Sequence, residues 1–237
     1  MKSIIILCCA AMALSCGCSK RRPQKLAQMY HQQSVAHAAL AMSVPEEEAV
    51  AYRRSLEAID KAIELDDRAE YKAFKATVLF KMQQFTLSER LFEQALQKVD
   101  SGALRGEILN NYACLLAQMG KVDRALQMWQ ELGHDEYYPT PELAFVNQGR
   151  IFALKDDYPK AKESFLKALA LAPDYVDAHY YLMLLAKDHG DTYLAKQSAQ
   201  AALYLAPDHK GVSLAASQLG MGVADIEKKP QGSNITT

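Results

Sequence analysis

Glycine and proline are scarce in this 237-residue chain, at 11 and 8, tryptophan occurs once, and aromatic residues make up only 8%. So little glycine and proline excludes a collagen-like or low-complexity polymer, and few aromatics beside abundant alanine argue against a sheet-built core. Charge of one sign is lacking as well: 27 basic and 28 acidic side chains leave a formal net charge of −1. No global field is available to hold a polyanion, which excludes nucleic-acid binding as the first reading. What is there is 50% hydrophobic and 23% charged residues, enough to bury one or two cores. The composition predicts an all-α chain of closely packed helices.

Catalytic signatures are missing too. There is no Walker loop, dinucleotide fingerprint, serine elbow or His-Glu-x-x-His helix, and the close pair Gly220 and Gly222 sits near the C-terminus. The six histidines are dispersed: His31 and His37 fall on different helix faces, and His179 and His189 belong to a helix and its turn. No enzyme, metal, cofactor or small-molecule substrate is expected from these patterns. Glu46-Glu47-Glu48 reads as an acidic first helical turn that complements the helix dipole.

Cysteine is nearly absent from the body of the chain. Cys8, Cys9, Cys16 and Cys18 cluster at the start, which leaves Cys114 and no internal disulfide. Met1-Lys2-Ser3 forms a short positive head, Ile4 to Leu14 are apolar, and Ser15-Cys16-Gly17-Cys18 follows. The apolar run is short for a bilayer span. This three-part pattern ending on cysteine resembles a bacterial lipoprotein signal. The resemblance implies cleavage after residues 1–17 with lipidation of Cys18, or after 1–15 with lipidation of Cys16, and a lipid-anchored tether over 18–24. Membrane contact would then be through the lipid anchor only. Gly17 or Ser19, and no aspartate, follows the candidate cysteine, which in such lipoproteins implies the periplasmic face of the outer membrane. An ordinary cleaved signal that releases a soluble protein is the alternative.

The rest of the chain repeats itself. Gly149, Phe152, Ala161, Phe165, Ala168 and Pro173 align with Met183, Ala186, Ala195, Ala199, Ala202 and Pro207 at an offset of 34. A 34-residue period with small residues at fixed places and a closing proline resembles the tetratricopeptide repeat, a helix-turn-helix module stacked into a superhelix. Five pairs are expected: a degenerate first repeat at 25–68, then repeats at 69–105, 106–139, 140–174 and 175–208. A capping helix at 209–220, with Val212, Leu214, Ala215 and Leu219 facing the stack, and a flexible tail at 221–237 complete the layout. Thr140-Pro141-Glu142 reads as a helix start with a capping hydroxyl, and Asp174 with Asp177 as another. Gly149 is expected to admit a second helix closely, with Phe165 as the knob between Ala161 and Ala168.

In repeats of this kind the first helix of each pair lines a concave groove. Its expected lining includes Ala73, Phe74, Asn110, Asn111, Cys114, Val146, Asn147, Arg150, Leu154, Tyr180, Tyr181 and Leu184. Asn111 and Asn147 lie 36 residues apart at equivalent places. Their carboxamides could grip the backbone of an extended peptide or bond between neighbouring helices. Arg150, Tyr180 and Tyr181 are residue types that concentrate binding energy, although either tyrosine could instead pack between repeats.

Leu109-Asn110-Asn111-Tyr112-Ala113, Gly120-Lys121, Ala125, Trp129, Tyr138-Pro139-Thr140-Pro141 and Asn147-Gln148-Gly149 resemble one repeat family in particular. It is the type IV pilus biogenesis and stability lipoprotein family, whose members join a lipoprotein signal to five or six such repeats. The resemblance implies a pilotin-type partner of the outer-membrane secretin, or of another envelope-assembly component. A general envelope scaffold that recruits peptidoglycan enzymes, proteases or another secretion apparatus is the alternative.

Overall fold

The computed structural model describes residues 2–221, with side chains from residue 22 onward. The lipidation candidates Cys16 and Cys18 and the tail 222–237 therefore lie outside the described side chains. Among the described residues the chain forms eleven α-helices, one short 3-10 turn (Pro45–Glu47) and no strand. The helices are α1 (Lys2–Ser43), α2 (Glu48–Leu65), α3 (Ala69–Lys81), α4 (Phe85–Leu96), α5 (Ala103–Gln118) and α6 (Val122–Leu132). They continue as α7 (Pro141–Leu154), α8 (Tyr158–Leu171), α9 (Val176–Asp188), α10 (Thr192–Leu205) and α11 (Lys210–Ser217). No helix among the described residues is long and apolar enough to cross a membrane. The all-α tetratricopeptide class expected from the period is the class observed.

The chain divides into two compact units, Met1–Leu115 and Leu116–Thr237. In the first, α1 packs on α2 and α3 on α4. Ala27, Ile59, Ala62 and Tyr71 form one buried cluster there. A reciprocal pair of buried serines fastens α1 to α2: Ser34 Oγ donates to the Ser55 carbonyl at 2.7 Å, and Ser55 Oγ donates to that of Ser34 at 2.9 Å. Ser88 is buried in the second helix of its pair, and its hydroxyl donates to the Ala76 carbonyl at 2.7 Å, so its burial leaves no unpaired donor. Phe92 and Tyr112 stack with centroids 5.7 Å apart.

In the second unit α7 packs on α8 and α9 on α10. A methyl carbon added at Gly149 would lie 2.5 Å from the Phe165 ring, so the missing side chain is what lets α8 approach. Ala161, Phe165 and Ala168 are all buried, in the hole-knob-hole arrangement expected. Helix α11 closes the unit through Val212, Ala215 and Ala216. Leu214, expected to face inward, is instead 65% exposed: the buried stripe of this short helix is 212, 215 and 216, and position 214 turns away from it.

One turn recurs between paired helices. Gln83, Gly120, Asp156 and Gly190 all take left-handed φ, from 59° to 77°. In each case the next backbone N–H reaches back to a carbonyl five residues earlier: Gln84 to Leu79, Lys121 to Leu116, Asp157 to Phe152 and Asp191 to Ala186, at 2.8 to 2.9 Å. This closure satisfies orphan carbonyls at the helix end and fixes the reversal. Two expected helix starts differ in detail. Thr140 precedes α7 but its hydroxyl caps nothing; its carbonyl accepts from Leu143 N–H at 3.1 Å, and Pro141 sets the first helical φ. Tyr175, not Asp174, is the residue preceding α9, and it too makes no side-chain cap. The side-chain caps among helices α7 to α11 fall on Asp157 and Asp191, at the starts of α8 and α10, and on His209 at the start of α11.

Candidate partner-binding groove

Helices α7 and α9, the first helices of consecutive pairs, flank a groove of about 680 Å³ within the second unit. Its apolar floor is made by Ala153, Phe165, Leu184 and Leu185, and Arg150, Tyr181, Asp156, Asp188 and His189 surround it. Leu154 stands at its edge with 84% of its surface exposed, an unusual position for a side chain that water disfavours.

Arg150 and Tyr181 come together. The guanidinium carbon lies 5.0 Å from the Tyr181 ring centroid, a cation–π placement. Behind Tyr181 the Phe165 ring is stacked at 6.0 Å with 13° between planes. A core residue therefore holds the tyrosine, which holds the arginine, so both groove side chains lose little freedom when a ligand arrives.

The turns close the other end. His189 Nδ1 lies 3.0 Å from the Leu185 carbonyl, within hydrogen-bond distance. Nε2 faces the Asp156 carboxylate at 3.3 Å. The ring packs on Tyr158 with centroids 4.5 Å apart. Burial, and the Asp191 carboxylate that accepts from it at 3.3 Å, push the Tyr158 hydroxyl up from its ordinary range, so it stays a donor. Asp156 and Asp188 project into solvent beside the groove.

The other expected lining residues are placed differently. Asn110 and Asn147 are buried, as are Ala73 and Val146, so these four belong to the interior. Asn111 is exposed, and the two amides at equivalent sequence places thus have unlike surroundings. Tyr180 turns toward the closing helix, with its ring 5.9 Å from that of His209 and its side chain packed beside Met183, Val212 and Ala215. Phe74 packs in the first unit against Tyr71 and Tyr52 and meets the His31 ring edge-on at 5.3 Å. Cys114 is half-buried and outside any disulfide. Asp156 and His189 were legible only as turn residues, and Asp188, the last residue of α9, was not singled out, because positions at the turn end fall outside the helical period that points to a groove. Among the described residues, no group of three or more His, Cys, Asp or Glu side chains could hold a metal ion.

Residues 144–175, which comprise most of α7, all of α8 and the turn after it, match the tetratricopeptide repeat. Among solved structures, the chain is similar to PilW, a widely conserved type IV pilus biogenesis factor. The TM-score is 0.62 and the identity 20%, over 81% of this chain and 88% of that one. It is also similar to the pilF protein of Pseudomonas aeruginosa, with a TM-score of 0.56 and 20% identity over 83% of this chain and 96% of that one. YrrB, a tetratricopeptide protein with an unusual peptide-binding site, gives a TM-score of 0.51 at 22% identity over 76% of this chain and 88% of the other. At these identities the likeness is one of fold.

Proposed function

We propose that this protein is a non-enzymatic, lipid-anchored tetratricopeptide adaptor on the periplasmic face of the outer membrane. In this reading it binds an extended segment of a protein partner through the α7–α9 groove and assists type IV pilus biogenesis by promoting assembly, localisation or stability of the secretin. The observation that carries the binding role is Arg150 held over Tyr181 next to the exposed Leu154 in an open groove. Preordered aromatic and guanidinium groups beside an apolar floor are the features that concentrate energy in protein interfaces. The pilus assignment is supported by the motif resemblance and by the likeness in fold to PilW and pilF.

Two measurements test this reading. Changing Arg150 and Tyr181 together to Ala is expected to weaken partner binding by about 2 kcal/mol or more with helicity unchanged by circular dichroism; undiminished binding would move the site elsewhere. Secretin multimers on gels from a deletion strain should be reduced. Normal multimers, with envelope enzymes or proteases captured at the groove instead, would favour the general scaffold role.

A further inference from the structure

A second opening in the same unit lies on another side of α7. Phe145, Gln148 and Phe152 of α7 face Lys160, Glu163 and Lys167 of α8 across a cleft of about 210 Å³. None of these residues lines the α7–α9 groove. Gln148 and Arg150 are two places apart, about 200° around the helix axis, so one helix serves both openings. His134 of α6 closes an end of the cleft, with its ring edge-on to Phe145 at 6.0 Å.

The two cations of this cleft are positioned by aromatic rings. Lys160 Nζ lies 5.6 Å from the Phe152 ring centroid, and Lys167 Nζ lies 5.9 Å from that of Phe145. Each also pairs with one nearby carboxylate, Lys160 with Asp157 at 2.8 Å and Lys167 with Glu163 at 2.7 Å. An ammonium has three donors, and these side chains are 62% and 53% exposed, so each keeps donors for a further acceptor. Seven residues of α8 set the lysines about 10 Å apart along the axis. Because their two rings flank Gln148 on α7, its carboxamide faces the interval between the ammonium groups. Gln148 Nε2 is buried and meets no acceptor among the described residues. A buried N–H without an acceptor is costly, and the cleft is the side from which one can arrive. Two lysines against one glutamate make the lining net positive.

We propose that this cleft is a second docking site, which takes the carboxylate of a glutamate or aspartate side chain on a protein partner. The carboxylate accepts from Gln148 Nε2 and lies between Lys160 and Lys167, with its methylene stem against the aromatic rings. Volume decides for one side chain over a free metabolite, since small-molecule sites enclose about 300 Å³ or more and this cleft holds about 210 Å³. The inference does not depend on the α7–α9 groove being a binding site. With both openings filled, α7 carries two partner segments at once.

The test uses the isotope-labelled full-length chain in detergent and follows, by nuclear magnetic resonance, the backbone amides of Gln148 and Ser164 and the Gln148 side-chain amide. The probes are sodium acetate and three blocked pentapeptides, alanine except for a central Glu, Gln or Lys. The Glu peptide should shift these signals saturably at millimolar concentration, and the Gln and Lys peptides should leave them in place. Gln148→Leu should weaken that binding about tenfold, the factor expected for one hydrogen bond to a charged group. Lys160→Gln together with Lys167→Gln, at exposed positions, should abolish it, and circular dichroism checks that the helices persist in each variant. Equal shifts from the Gln peptide, a response to the Lys peptide, no response to any peptide, or unaltered binding in either folded variant overturns the proposal. Acetate that binds as tightly as the Glu peptide would make this a site for free carboxylates and overturn the assignment to a protein side chain. Shifts confined to Arg150 and Tyr181 would put the carboxylate in the α7–α9 groove, which overturns this site and leaves that one standing.

Discussion

Phe165 connects core and groove. It fills the space left by Gly149 between Ala161 and Ala168 and supports Tyr181 from behind. Phe165→Ala opens a cavity in a fully buried site and should destabilise the protein by about 3 to 5 kcal/mol, measured by urea unfolding; a loss below about 1 kcal/mol would show that the ring is not packed as described. His179 acts on stability through a proton. Its Nε2 lies 2.8 Å from the Pro173 carbonyl, and burial lowers its affinity for a second proton below the ordinary value of 6.5 despite that bond. The unfolded chain then binds the proton more readily than the folded one, so the contribution is fully present above about pH 6.5 and is lost as pH falls through the depressed folded value. Urea midpoints should fall on acidification below that pH, and His179→Leu should flatten the fall. The remaining slope belongs in part to His31, which burial shifts in the same direction.

At the scale of the element, the shared turn matters more than the helix starts. Gly190 takes φ of 76° with open space where a side chain would project, so Gly190→Ala meets no neighbour and its cost is conformational. The expected loss is about 1 to 2 kcal/mol, read from the same unfolding midpoints, and an unchanged midpoint would mean that the turn relaxes out of the left-handed region. Gln83 and Asp156 hold the same conformation, Asp156 as one of the few non-glycine types that tolerate it and Gln83 as one that disfavours it. Their backbone closures show why these turns persist: each N–H to carbonyl bond is made by the main chain and asks nothing of the side chain. That is also why the turns at 83 and 156 lacked the glycine that marks the ones at 120 and 190 in the sequence.

For the molecule as a whole, the lipid attachment proposed above would set where it acts. If two or more acyl chains on Cys18 or Cys16 hold the protein to the outer membrane, replacing both cysteines by Ser should move it to the soluble periplasmic fraction on fractionation, since stable anchoring needs more than one chain. An unchanged membrane fraction would refute the lipoprotein assignment.

The helical class, the repeat and the main knobs of the core can be read from the order of residues. The 34-residue period repeats one stripe of small residues, and burial of that stripe at 3.6 residues per turn admits few alternatives. Gly149 with Phe165, and the helix start at Pro141, were legible for the same reason: each follows from local sterics. Tertiary structure alone decided which groove-side places remained open. Asn147 and Val146 share the helix that presents Arg150, yet they are buried while Arg150 reaches solvent. Tyr181 lines the groove while its neighbour Tyr180 packs toward His209. Helical spacing assigns a residue to a face within about one position in a turn, whereas the boundary between interior and groove depends on how closely the adjoining helices approach. Asp156, Asp188 and His189 join the site only because two turns about a repeat apart are brought side by side by stacking, a proximity that no local pattern encodes.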